Sequence, residues 1–220
     1  AGTVPLRGQA VTGYYGKVST HGDFVSRRLP AHLVQAWDAW LQECLQTSQA
    51  TLGPVWLERY LNSPVWRFAI APSVLGPEGI GGVMMPSVDR VGRYFPLMLG
   101  AIATPALLEW FHDQATWYDE IEDLARESLA YGFVLEHFDS APEPQFATSV
   151  AKTAAARSVS LNVSKPTMMD SSALQGYTLW WTEGGPFVEA STLVCKGMPR
   201  FQDFTAVLDG VRESFSTGAS

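Results

Sequence analysis

Cysteine is scarce in this chain: Cys44 and Cys195 are the only two among 220 residues. Two thiols that far apart build no disulfide framework, the device by which small secreted domains make up for a thin core. Both read as reduced, small apolar residues, which fits a cytosolic protein. Basic charge is also in short supply. Lys and Arg total 15 against 22 Asp and Glu, for a formal net charge of −7, and Arg27-Arg28 is the only adjacent basic pair. Affinity for nucleic acid rests on cations set against phosphates, so no nucleic acid is expected as a partner. No apolar run reaches the roughly 18 residues that a membrane span needs. The segment Ala1 to Gln9 lacks the basic-then-apolar order of a secretory signal, so no membrane insertion is expected either.

Reaction signatures are equally thin. The phosphate-loop, nucleophile-elbow, zinc-protease, paired-cysteine and calcium-loop patterns are all missing. The stretch from Gly76 to Gly82 lacks the third glycine of a dinucleotide loop. It also runs into Val83-Met84-Met85-Pro86, where the phosphate-binding helix would have to begin. His21, His32, His112 and His137 are the four histidines, and they show no metal-ligand spacing. No metal and no cofactor are expected.

What the chain has is apolar mass. Hydrophobic residues make up 46%, with eight Trp and eleven Phe. A globule of this length buries roughly 70% of the surface its unfolded chain exposes, enough for one domain with a long excursion. A first strand is expected within Val11–Val18. Pro30 suits a helix start. Leu33, Val34, Trp37, Trp40, Leu41, Cys44 and Leu45 then follow at three-and-four spacing, one apolar face on a helix of about four turns. Trp56, Leu57, Tyr60 and Leu61 mark a shorter helix, ended by Ser63-Pro64. Strands are expected over Val65–Ala71, Gly82–Met85 and Tyr94–Ala103, joined by links too short for helical crossovers and therefore antiparallel. Gly76-Pro77-Glu78-Gly79 reads as the first hairpin turn.

Thr104-Pro105 opens a helical pattern over Leu107–Leu129, broken near Thr116 and ended by Gly132. Its acids, Asp113, Asp119, Glu120, Glu122, Asp123 and Glu127, read as a solvated face or as an acid-lined docking surface. From about 139 to 175 the composition turns to Ser, Thr, Ala, Pro and Lys, a polar surface excursion. Tyr177–Trp181 reads as a late core strand and Phe201–Val211 as a closing helix.

Ser19, His21 and Asp23 have the residue types of a hydrolase triad. On a strand, however, Cα atoms two apart sit roughly 6.5 Å from each other, and a triad needs direct hydrogen bonds. An Asp23 that fixes its own loop is the better reading. A second grouping carries more weight: Lys17, His21, Asp23, Asp89, Arg90 and Arg93 fall in two glycine-bearing loops that converge if both lie at one end of the sheet. Two arginines beside Gly92 have the geometry to grip a carboxylate or phosphate. The alternative is internal pairing of Asp23 and Asp89 with Arg90 and Arg93. These six are the candidate interaction or anion-binding residues, and no catalytic residue is assigned.

Two blocks carry a family resemblance. One is Gly16-Lys17-Val18-Ser19-Thr20-His21-Gly22-Asp23-Phe24-Val25. The other runs from Trp66-Arg67-Phe68 through Gly82-Val83 to Pro86-Ser87-Val88-Asp89-Arg90-Val91-Gly92-Arg93-Tyr94-Phe95-Pro96-Leu97, and Trp37-Asp38-Ala39-Trp40-Leu41 between them also fits. Over roughly residues 13–104 the chain closely resembles the TagF family of bacterial type VI secretion-associated proteins; beyond that, Trp180-Trp181 and Gly197-Met198-Pro199 still fit. The resemblance implies an α/β fold, a three-layer αβα sandwich with a mixed, largely antiparallel central sheet, formed by residues 1–220 as one TagF-like domain. It also implies a cytoplasmic, non-enzymatic accessory factor that represses assembly or firing of the secretion machine after translation, by binding a forkhead-associated scaffold protein of the apparatus. The competing expectation is an enzyme, or a nucleotide- or phosphate-binding domain, that meets a phosphorylated ligand at Lys17, His21, Asp23, Arg90 and Arg93.

Overall fold

Short links force chain neighbours to pair antiparallel. The computed structural model of the chain, which describes residues 10–103, 105–146 and 174–210, has that outcome throughout. Its strands are β1 (Thr12–Gly16), β2 (Val25–Arg27), β3 (Trp66–Ile70), β4 (Ile80–Met85), β5 (Leu97–Ile102), β6 (Tyr177–Thr182) and β7 (Ser191–Lys196). Its helices are α1 (Ala31–Leu52), α2 (Trp56–Leu61), α3 (Leu107–Asp113), α4 (Ala115–Glu127) and α5 (Phe204–Asp209). The strands make one seven-stranded sheet in the order β2-β1-β5-β4-β3-β6-β7. The sequence led to a mixed sheet, largely antiparallel; among the described residues all six pairings are antiparallel. The reason lies in the connections, since consecutive strands β3, β4 and β5 are joined by hairpins.

Side chains alternate across the sheet, and this builds two apolar layers. On one face Trp66, Phe68 and Ile70 of β3 and Trp180 of β6 pack with Trp37, Trp40 and Leu41 of α1, Tyr60 of α2 and Phe204 of α5. On the other face Ala69, Val83, Leu99 and Leu179 pack with Leu107 and Trp110 of α3 and Trp117, Tyr118 and Ile121 of α4. Helices therefore cover both faces, the expected αβα sandwich. Gly81 is one reason α3 can lie close: a Cβ there would sit 2.4 Å from Cε3 of Trp110, so only a bare backbone lets the indole rest on the sheet.

Several elements differ from the sequence reading in extent. Helix α1 runs for 22 residues, not about four turns. Its last turns carry polar residues that hide the apolar spacing, and the buried Ser48 there is satisfied by the Leu45 carbonyl and the Trp56 indole. The break expected near Thr116 falls at Gln114, which parts the pattern over Leu107–Leu129 into two helices and whose amide is engaged by the backbone of Gln145. The closing helix starts at Phe204 because residues 201–203 form a turn. Thr104, Val211 and positions 147–173 of the polar excursion lie outside the described residues. The described start of that excursion is held down: the Pro142 carbonyl accepts from Thr12 and Trp117, and Phe146 meets Trp110 edge-on. Among the described residues no helix is long and apolar enough to cross a membrane.

Candidate functional site

Strand pairing decides which loops meet. Tyr15 faces Met98 across β1 and β5, and Met85 faces Leu97 across β4 and β5. The loop after β1 and the loop between β4 and β5 therefore emerge at the same end of the sheet. Helix α2 arrives there too, because Trp66, at the start of β3, faces Met84.

Asp89 organises this end. Its side chain is fully buried, and a buried carboxylate is tolerated only when it is paired and hydrogen-bonded. Oδ2 accepts from Lys17 Nζ at 2.5 Å and from Arg93 Nε at 2.7 Å. Oδ1 accepts the backbone N–H groups of Val91 at 3.0 Å and Arg93 at 2.9 Å. Burial pushes this carboxyl up, and hydrogen bonds from Lys17, from both the backbone and side chain of Arg93, and from the Val91 N–H outweigh it, holding the group well below the usual carboxylate range. The loop closes on itself through the Asp89 N–H to the Arg93 carbonyl and the Gly92 N–H to the Asp89 carbonyl, both 3.0 Å. Gly92 sits at φ +87°, a conformation that glycine adopts without strain.

Three further ties fix the two loops to each other. Arg93 Nη2 donates to the Gly22 carbonyl. The Arg90 N–H donates to the His21 carbonyl at 2.9 Å, and Ser87 Oγ donates to the Lys17 carbonyl at 2.7 Å. Lys17 Nζ also lies 4.7 Å from the centre of the Phe24 ring, a cation–π contact.

The six candidates thus fall into four kinds. Lys17, Asp89 and Arg93 form one ionic knot. His21 joins it through its main chain, while its ring Nδ1 lies 3.0 Å from the Thr20 hydroxyl. Asp23 takes no part: it is exposed, and its Oδ1 accepts the N–H of Phe24 at 2.8 Å, the local loop-fixing role. Arg90 is exposed, its guanidinium lies over Gly22, and it makes no ion pair among the described residues. Arg93 is engaged by Asp89 and the Gly22 carbonyl, so the two arginines do not stand as a free pair. Internal pairing of Asp23 with either arginine does not form either. Sequence reasoning missed Tyr60, which grips the backbone of Ser87; nothing local in the sequence links residues 27 apart.

The acidic face of α4 is partly internal. Glu122 is buried and accepts from Arg67 Nε at 2.7 Å, while Asp119 accepts from Arg67 Nη2 at 2.8 Å. Burial works against the charge on Arg67, and these two acids more than offset it, so its pKa stands above the ordinary value. Burial pushes the Cys195 thiol up to about 11, with Asp203 adding to the effect and Thr178 and Arg200 opposing it. Among the described residues no group of three or more His, Cys, Asp or Glu is placed to hold a metal ion.

A family model described as the TagF N-terminal domain, type VI secretion system-associated, matches residues 13–143. The crystal structure of PA0076 from Pseudomonas aeruginosa PAO1 is similar, with 34% sequence identity and a TM-score of 0.78, over 95% of this chain and 99% of that one. No curated protein matches. Both loops of the ionic knot, and α2 beside them, lie inside the matched segment.

Proposed function

The chain belongs to the TagF family, type VI secretion system-associated proteins, and from that we propose that it is a cytoplasmic repressor of the secretion machine. It acts after translation, turns over no substrate, and works by binding a forkhead-associated scaffold protein of the apparatus. The observation that carries the reading is the knot around Asp89. Groups with the chemistry for acid–base or anion work there, Lys17, Asp89 and Arg93, are spent on one another. What they hold rigid is a pair of loops that present Arg90 and apolar side chains outward. Rigid presentation of a surface is what recognition needs, since little ordering entropy is then lost on binding.

Effector release measured in a strain lacking the protein, with and without the scaffold, tests this. Release should rise when the protein alone is deleted, and the rise should vanish when the scaffold is also absent. Unchanged or reduced release in the single deletion would refute repression.

A further inference from the structure

We infer that the tip of the β4–β5 loop is the contact patch, with Arg90, Val91 and Tyr94 joined by Phe24 of the neighbouring loop, and that it takes a protein surface presenting a carboxylate beside an apolar side chain. This rests on the repressor reading and names the part of the molecule that performs it.

Three observations point to that occupant. The apolar members are large and open: Val91 is 65% exposed, Phe24 40% and Tyr94 37%. Residues of that size cost solubility when left bare, and grouped on one face they mark interaction sites. The two aromatic members are also held in place. The Phe24 ring stacks on Tyr15 with centroids 5.5 Å apart and meets Phe95 edge-on at 4.8 Å. Tyr94 meets Tyr60 and Trp56 edge-on at 5.7 and 6.3 Å. Fixed aromatic rings beside an arginine are the composition of interface hot spots.

Charge supplies the third observation. The chain carries a formal net charge of −7, yet the residue at this tip is a guanidinium with no carboxylate partner among the described residues, standing next to Arg93, whose side chain is 58% exposed. Lys17, the third cation, is neutralised inside by Asp89. The free positive charge therefore complements an acid on the partner, and a guanidinium favours a carboxylate that can accept two parallel hydrogen bonds. Desolvated within an interface, such a pair gains strength over one in open water.

Isothermal titration of the full chain with the cognate forkhead-associated protein tests the assignment, using Arg90→Glu, Val91→Asp and, as control, Lys196→Glu on β7, whose Tyr177 pairing places it at the far end of the sheet. Arg90 and Val91 project from the fold, so thermal melts should match the parent; Arg90→Ala and Val91→Ser replace any variant that melts early. Arg90→Glu and Val91→Asp should each raise Kd at least about tenfold, with Lys196→Glu unchanged. Parent-like Kd in both loop variants would overturn the patch while leaving the repressor reading intact. Absence of binding by the parent chain would overturn both. Sedimentation velocity covers a second copy as occupant: self-association that Arg90→Glu abolishes, with scaffold affinity unaltered, would also overturn the patch.

Discussion

The hydroxyl of Tyr60 closes a two-way bond with the backbone of Ser87: it donates to the carbonyl at 2.8 Å and accepts from the amide at 3.0 Å. Tyr60 is on α2 and Ser87 opens the β4–β5 loop. One buried side chain therefore anchors the helix to the loop and satisfies two main-chain groups that water does not reach.

Tyr60→Phe keeps the ring and removes both bonds. The Ser87 amide is then orphaned, while its carbonyl keeps the Phe95 N–H at 3.2 Å, and stability should fall by about 1–3 kcal/mol. Urea titration would register this as a shifted midpoint with the slope retained. A midpoint equal to that of the parent would mean that the loop has another anchor.

Asp89 predicts a pH signature. Its folded pKa lies below the ordinary aspartate value, so between the two the unfolded state binds the proton more readily. The knot's contribution is then complete above roughly pH 4 and is lost as pH falls through the folded pKa. Asp89→Asn should lower the melting temperature at neutral pH, and its deficit against the parent should shrink as the solution is acidified below that point. A deficit that stays constant with pH would contradict an ionised Asp89 at the centre of the loop.

Arg67 and Glu122 should behave as a buried pair. Glu122→Ala leaves the guanidinium with the exposed Asp119 and Glu183 and should cost about 2–4 kcal/mol. Replacing both partners at once, Arg67→Met with Glu122→Leu, should be roughly neutral, because two desolvated charges disappear together. Denaturant melts arranged as a double-mutant cycle would measure the coupling. Additive losses would show that the two act independently.

Gly81→Ala should lower stability by about 1–3 kcal/mol, since the new methyl meets the Trp110 indole and α3 must shift or the ring must turn. Chemical denaturation measures it. A neutral result would mean that α3 rides more loosely on the sheet than the contact with Trp110 implies.

The layers of the fold were legible wherever apolar spacing was strong. The stripe from Leu33 to Leu45 marked α1, and the runs around Phe68, Val83 and Leu99 marked the central strands. β2 escaped notice because three residues, Val25–Arg27, carry no period. β7 escaped because Ser191–Lys196 is an edge strand, half-buried along most of its length and without a clean alternation. At the candidate site the sequence identified the right loops and mixed up the partners. Asp89 and Arg93 are four apart and visibly pairable, whereas Lys17 reaches Asp89 only because β1 and β4 flank β5. That neighbourhood is a property of the sheet order, and local pattern cannot display it. The freedom of Arg90 follows from the same fact, since Lys17 fills the place at Asp89 that a second arginine would otherwise take.

Amide hydrogen exchange across the whole chain, with and without the forkhead-associated scaffold, bears most directly on the claim that the Asp89 knot holds a surface for another polypeptide to read. The backbone amides of Val91 and Arg93 should exchange slowly in the free protein because Asp89 accepts them. Scaffold should add protection to the two loops at 17–24 and 86–96 and leave β7 unchanged. Fast exchange of those amides in the free protein, or protection that falls elsewhere, would contradict it.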